Sequence, residues 1–421
     1  MADDFHFPPL NYGCVQCGKS CEMFDEITID APSRAAIEAV DYLPLMPPGA
    51  VAFKQSPLHP EKTILCKSGV KCVFLGEDRL CGIHRVFGEE TKPRTCRGFP
   101  FRYVETPGGV YVGLSFACTA VQQNAGPAVV DDAANLRRDF AISNSVLRPE
   151  KSLRLTAGEE ISWAAYEVLE GDLASIIGAA GKTVGERLVA QAVYLDLYSS
   201  LLRKGRATDE KFSEMDALAA LRSRYLKDAA DSELFRIGAR LRPSAVLQRA
   251  FLGLITAFRD SLQVRGRKPG RVASVARIAL HYGRHALQLG RVHLNLANVT
   301  FNYADLSRVK FPGGAEQEAL LQRYFEHALF RKDLLLGDSV WLGQRFMLMH
   351  YALIHWHAVG ISAGRGLDHC PVDAVQESIG AVERHYSFHT TFGKLFENVP
   401  VLGVVLDSIV RKPGFARAMV G

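Results

Sequence analysis

Long apolar runs are missing from this sequence. No stretch reaches the ~18 residues of a membrane-spanning helix, and the nearest, "FMLMHYALIHWHAVG", carries His350, His355 and His357. The N-terminal "MADDFHFPPL" has neither a basic n-region nor an apolar h-region, so it does not read as a secretory signal. Neither sign of charge dominates: 50 Lys and Arg stand against 45 Asp and Glu. That balance makes no case for nucleic acid or an anionic membrane as partner. There is no repeat of fixed period, no low-complexity tract, no GxGxxG loop following a strand and no HExxH pair, so a helical solenoid and a self-evident nucleotide fingerprint are both unsupported. Cysteine is scarce over most of the chain as well, with Cys370 alone beyond residue 118. The expectation is a protein of a reducing, bacterial-type cytoplasm with no membrane or nucleic-acid partner. In that compartment clustered thiols serve as metal ligands or redox groups rather than disulfides. The oligomeric state is left open.

What the chain does have is asymmetry. At 421 residues with 48% hydrophobic side chains, it is long enough for more than one core. Eight of nine cysteines, Cys14, Cys17, Cys21, Cys66, Cys72, Cys81, Cys96 and Cys118, precede residue 120. The same region is punctuated by proline and glycine ("LPLMPPGAVAF", "TPGGVYVG") and holds short alternating runs such as "VYVGLSF", which read as strands and turns. From about residue 128 apolar residues recur at three- and four-residue steps, as in "ISWAAYEVLEGDLASIIGAA" and "TVGERLVAQAVYLDLYSSLLRK", and the rest of the chain reads as all-helical. The predicted class is α+β: a small, irregular, Cys-rich metal-binding N-terminal domain over 1–125, and a larger, mainly α-helical domain over 126–421. A basic connector over 259–277, with Pro269 and Gly270 as a loop signal, marks a candidate split into two sub-bundles near 264–270. Its arginines and Lys268 read as a solvated loop.

The opening "CVQCGKSC" packs Cys14, Cys17 and Cys21 into eight residues. Thiolates are soft, anionic and able to bridge, and one tetrahedral ion or one cubane cluster takes four ligands. Three are therefore one short, and the site has to be closed by Cys66, Cys72, Cys81, Cys96 or Cys118 folding back on the first knot. The gaps of two and then three residues reverse the order used by radical S-adenosylmethionine enzymes. A plain zinc ribbon wants two CxxC knuckles, and Cys14 to Cys17 is the one such pair in this constellation.

The clustered start, then "CVFLGEDRLCGIH", "RTCRGFPF" and "LSFAC", resembles the zinc- or iron-chelating cysteine-cluster family (CxxCxxCC type), in its flagellin lysine N-methylase branch. The overlap covers roughly residues 12–120. Ser20 stands where the family pattern has a further cysteine, with Cys66 as a candidate replacement. The resemblance implies a metal centre, either an iron-sulfur cluster of the 4Fe-4S type or a zinc or iron ion. Its ligands would come from Cys14, Cys17, Cys21, Cys66, Cys72, Cys81, Cys96 and Cys118, not all of them needed. It further implies methyl transfer from S-adenosylmethionine to a protein lysine, with flagellin-like lysines as substrate. A lysine ammonium has an ordinary pKa of ~10.4, so such a reaction needs desolvation or a nearby cation to free the amine lone pair. Non-catalytic metal-stapled binding and redox or metal handling require the same cysteines, so enzyme or not stays open here, and no catalytic or donor-binding residue is assigned.

Other residues carry a bland reading beside the sharp one. His84, three residues after Cys81, is either a mixed ligand or a surface or hydrogen-bonding group. Arg85, Arg94 and Arg97 either lower nearby thiol pKa values or form salt bridges. Pro93 and Pro100 are expected to fix an extended path that aims Cys96 inward. His350, His355 and His357 share one apolar helix and read as interhelical packing, as do His385 and His389 despite their four-residue spacing. Cys370 reads as a lone thiol packed between helices.

Overall fold

The structure, a computed structural model, describes residues 4–24, 26–56, 60–143, 146–150, 152–227, 232–262, 279–280, 282–294, 297–386, 408–412 and 414–420. The architecture is α+β, with helices in the majority and strands confined to small sheets. The chain divides into two compact units, Met1–Pro149 and Glu150–Gly421. The candidate split near 264–270 and His389 lie outside the described residues.

The first unit is assembled from short pieces. Its strands are β1 (Phe5–His6), β2 (Thr28–Ile29), β3 (Phe53–Gln55), β4 (Thr63–Leu65), β5 (Lys67–Ser68), β6 (Lys71–Cys72), β7 (Phe101–Thr106), β8 (Gly109–Leu114) and β9 (Val146–Leu147). Its helices are α1 (Lys19–Met23), α2 (Ala31–Glu38), α3 (Gly82–Phe87), α4 (Arg94–Gly98), α5 (Thr119–Gln123) and α6 (Ala133–Ile142). The "TPGG" signal makes the β7–β8 hairpin, paired antiparallel from Phe101–Leu114 to Thr106–Gly109. β1 lies parallel to β8 and β9 parallel to β7, so the chain as far as Leu147 is tied into this sheet. A second sheet runs β2-β4-β3. Helix α2 starts where Asp30 accepts from the Ser33 N–H, with Pro32 in the first turn. Ile29, Ile37, Leu65, Val73, Phe74 and Ile83 then close a small apolar core.

In one respect the local path differs from expectation. Cys96 sits on a helical turn rather than an extended strand: Pro93 is the N-cap of α4 and its carbonyl accepts the Cys96 N–H at 2.8 Å. A proline at the mouth of a helix sacrifices no intrahelical donor, so "PRTCRG" closes into a turn at no cost to the backbone.

The second unit carries helices α7 (Trp163–Ile177), α8 (Val184–Thr208), α9 (Glu214–Tyr225), α10 (Glu233–Arg240), α11 (Ala245–Leu262), α12 (Tyr303–Leu306), α13 (Ala315–Phe330), α14 (Val340–Gly364), α15 (Val372–His385) and α16 (Phe415–Val420). Side-chain caps start several of them: Ser162 on α7, Ser339 on α14, and capping boxes of Thr183 with Glu186 on α8 and Ser213 with Asp216 on α9. The unit is not all-helical. Hairpins β10 (Leu153–Thr156) with β11 (Glu159–Ile161), and β12 (Arg291–Leu294) with β13 (Val299–Asn302), interrupt it. Their alternation lasts three or four residues and is drowned by the helical periodicity on either side. Helix α14 is apolar nearly all round and packs against α8, α15, α16 and β13, the burial expected of such a helix. Among the described residues no helix is long and apolar enough to cross a membrane.

Several buried polar groups inside this unit are paired. Arg331, 3% exposed, reaches Glu383 at 3.0 Å and Asp333 at 2.6 Å, while Tyr324 donates to Glu383 at 3.1 Å. The two carboxylates hold the Arg331 guanidinium well above its ordinary pKa even though burial pulls the other way. His350 contacts the Tyr324 hydroxyl and the Tyr386 carbonyl, both at 3.3 Å. His355 stacks on Phe311, and His357 is buried against Trp356 and Tyr386. Cys370 is fully buried at the start of α15.

Candidate metal centre

The first unit's cysteines fall into neighbourhoods that their order in the chain does not suggest. Cys21 comes from α1, Cys72 ends β6, Cys81 is the N-cap of α3 and Cys96 lies on α4. All four belong to or pack against the small apolar core, as does Cys66. The thiols lie within electrostatic reach: Cys96 feels the field of Cys72, Cys21 and Cys81, and Cys72 that of Cys21 and Cys81. Burial pushes the Cys72 thiol up to about 12 and also raises Cys21 and Cys96, and the neighbouring thiols add to the rise. Lys92 works in the opposite sense on Cys21 and Cys96.

Cys14, Cys17 and Cys118 form the other neighbourhood. Cys14 is exposed, and Cys17 and Cys118 are half-buried. Burial raises the Cys118 thiol, the N–H groups of Val121 and Ala120 at the head of α5 lower it, and Cys17 and Cys14 raise it again. The Tyr12 hydroxyl shares the surroundings: burial raises it first, then the fields of Cys118, Cys14 and Cys17. Tyr12 also lines a cleft of about 290 Å³ with Phe101, Pro127, Ala128, Val129, Asp131 and Asp132.

The residues near the cysteines take the roles of neighbours rather than ligands. His84 is exposed on α3. Arg85 pairs with Asp78, Arg97 with Glu90, and Arg94 with Asp30 at 3.5 Å, so these arginines are engaged by carboxylates. Of the cations that act on the inner thiols, Lys67 on Cys72 and Lys92 on Cys21 and Cys96, Lys92 was hidden in "ETKPRTC", where nothing in spacing sets one basic residue above the next. Tyr12 was hidden for the same reason. Their signal lies in the packing.

Among the described residues, no three Cys, His, Asp or Glu side chains stand in an arrangement that holds a metal ion. The inner thiols are neighbours and not a coordination shell. Their chemistry nevertheless suits a soft cation or an iron-sulfur cluster: four sulfur donors from four chain segments, Cys72 buried and the other three half-buried. Comparison of the chain with protein-family models, curated proteins and solved structures finds no match.

Proposed function

We propose that the first unit is a thiolate-ligated metal module of the cysteine-cluster kind, its resident centre held by Cys21, Cys72, Cys81 and Cys96 with Cys66 alongside. The observation that carries the reading is the convergence of these four thiols, distant in sequence, on one small apolar core. Neutral thiols tolerate such a setting, and their joint deprotonation becomes favourable when a cation takes the place of the protons. Loading would then couple to the closing of the surrounding loops. Lys92 would offset the negative charge of the ligands from outside the coordination shell. In the larger reading the module serves methyl transfer from S-adenosylmethionine to a lysine of a flagellin-like protein substrate. Support for that step is the motif resemblance over residues 12–120.

The test is anaerobic purification with an absorption spectrum and iron, sulfide and zinc analysis on one sample. Matched iron and acid-labile sulfide support the cluster and make lysine methylation with a labelled donor the next assay. Zinc without sulfide turns the centre into a structural staple and removes the iron-sulfur form of the reading. Metal retained by Cys72→Ala and Cys96→Ala variants overturns the assignment to this set.

A further inference from the structure

We infer that residues 17–24 form a strap that shuts Cys21 and Cys72 away from water. It is latched at one end by Arg79 and at the other by Lys67, and the two thiols become reactive when it lifts. The inference holds for the free thiols and does not rest on the metal module proposed above.

The strap is fixed at its two ends. At its start the chain bends on both sides of Cys17, where Gln16 (φ 52°) and Gly18 (φ 64°) are left-handed. Gly18 lies against the 76–80 turn so closely that a Cβ there would meet the Arg79 carbonyl oxygen at 2.6 Å, so glycine is required. That turn is closed by its own hydrogen bonds, from Gly76 N–H to the Leu80 carbonyl at 2.9 Å and from Leu80 N–H to the Asp78 carboxylate at 3.1 Å. From it the Arg79 side chain reaches the strap twice: Nε donates to the Cys17 carbonyl at 2.7 Å, and Nη2 to the Glu22 carboxylate at 3.0 Å. At the far end, α1 finishes with carbonyls that have no intrahelical partner. Lys67 of β5 donates to the Glu22 and Phe24 carbonyls at 2.9 and 2.8 Å. The Phe24 ring meets Phe99 edge-on, with 5.4 Å between centroids.

Between the latches α1 packs on β6, the strand that ends in Cys72. Cys72 is 6% exposed, and Cys21, on the strap itself, packs against the same apolar core. A helix of five residues has too few internal hydrogen bonds to hold its place alone, so the cations from outside carry that task. Opening such a segment costs less than unfolding the core beneath it. The Arg79–Glu22 pair is 42% and 23% exposed, so salt weakens it. Lys67 is half-buried and grips neutral carbonyls, so its latch responds less to salt. While the strap is down, burial pushes the Cys72 thiol up to about 12, and a thiol reagent meets thiolate only after it lifts.

The experiment uses the full chain, reduced and kept free of metal by chelator. Alkylation by iodoacetamide is followed at each cysteine by mass spectrometry, with exposed Cys14 as the internal standard. Arg79→Met and Lys67→Met should each speed Cys21 and Cys72 together by about ten-fold, the population change that loss of one charge-assisted hydrogen bond brings. Cys370 should keep its rate. Sodium chloride should speed the same two thiols in the wild-type chain, and Glu22→Gln, which spares the carbonyl that Lys67 grips, should remove most of that salt dependence. Because Arg79→Met can loosen the whole unit, hydrogen exchange in the β7–β8 hairpin is read on the same samples. Faster Cys21 and Cys72 with the hairpin still protected supports the strap. Acceleration that comes only with loss of hairpin protection overturns it, as does a Cys72 rate that ignores all three variants. A rise at Cys21 alone overturns it too, because α1 would then fray without uncovering β6.

Discussion

The two units bury polar chemistry in opposite ways. In the second, opposite charges meet: Arg331 is clasped by Glu383 and Asp333, and Tyr324 and His350 complete the chain of hydrogen bonds. In the first, like groups meet: beyond the effect of burial, Cys81 makes Cys21 harder to ionise, Cys21 and Cys81 act so on Cys72, and all three act so on Cys96. The charge network satisfies itself and joins helices. The thiol set is settled while its members stay neutral. A buried polar cluster is therefore better read by the sign relations among its members than by their number.

The largest test of this contrast removes inner thiols. Cys72→Ala/Cys96→Ala should abolish metal retention and cost the first unit the metal's folding contribution, of order 10 kcal/mol for a structural zinc. Metal analysis with hydrogen exchange checks it, and a stable, metal-loaded variant would erase the distinction between the units. Next, Arg331→Met should destabilise the second unit by about 3–5 kcal/mol, because Glu383 and Asp333 would be left buried without their cation. Urea unfolding measures this, and Arg331→Met/Glu383→Gln should recover part of the loss. A single variant with wild-type stability would mean the network is not the joint described above.

A pH titration sharpens the comparison on the same scale. Burial lowers His357 from its ordinary 6.5 to about 4. Between those values the unfolded chain binds a proton that the folded chain refuses, so stability falls as pH drops from 6.5 toward 4 and is flat above 6.5. The slope is roughly 1.4 kcal/mol per pH unit at most for one histidine; His355, lowered to about 4 by the same burial, contributes over the same window, so His357→Phe should lower the slope without abolishing it. Gly18→Ala comes next, at about 1–3 kcal/mol, from a left-handed backbone and a collision with the Arg79 carbonyl. The smallest effect belongs to Cys370→Ala. It should leave metal content unchanged and cost about 1 kcal/mol, since it empties a small buried volume far in sequence from the other thiols. Loss of metal in that variant would mean that the second unit has a share in the centre.

Much of the second unit was legible in the sequence because its helices announce themselves locally. Ser162, Thr183 and Ser213 stand before apolar runs with three- and four-residue spacing, and the structure begins helices there. The hairpins were not legible, since "LRLT" and "RVHL" are too short to establish a two-residue period. In the first unit the cysteines were visible as a constellation, but their partition was not. Cys17 and Cys21 look like one knot on paper, but the chain between them turns at Gly18, whose left-handed backbone lies against the carbonyl of Arg79, 61 residues beyond. Lys92 escaped notice because a field has no spacing. The helical turn at Cys96 escaped because Pro93 reads equally as the end of an extended segment and as the mouth of a helix.

The left-handed turn at Gly18 also sets a geometric limit. It changes the direction of the chain between Cys17 and Cys21, so inserting or deleting one residue over 18–20 would keep every cysteine and still alter where Cys21 emerges relative to Cys17. Cysteine count alone is therefore a poor guide to how such thiols are grouped, and the spacing across the bend is the quantity to compare.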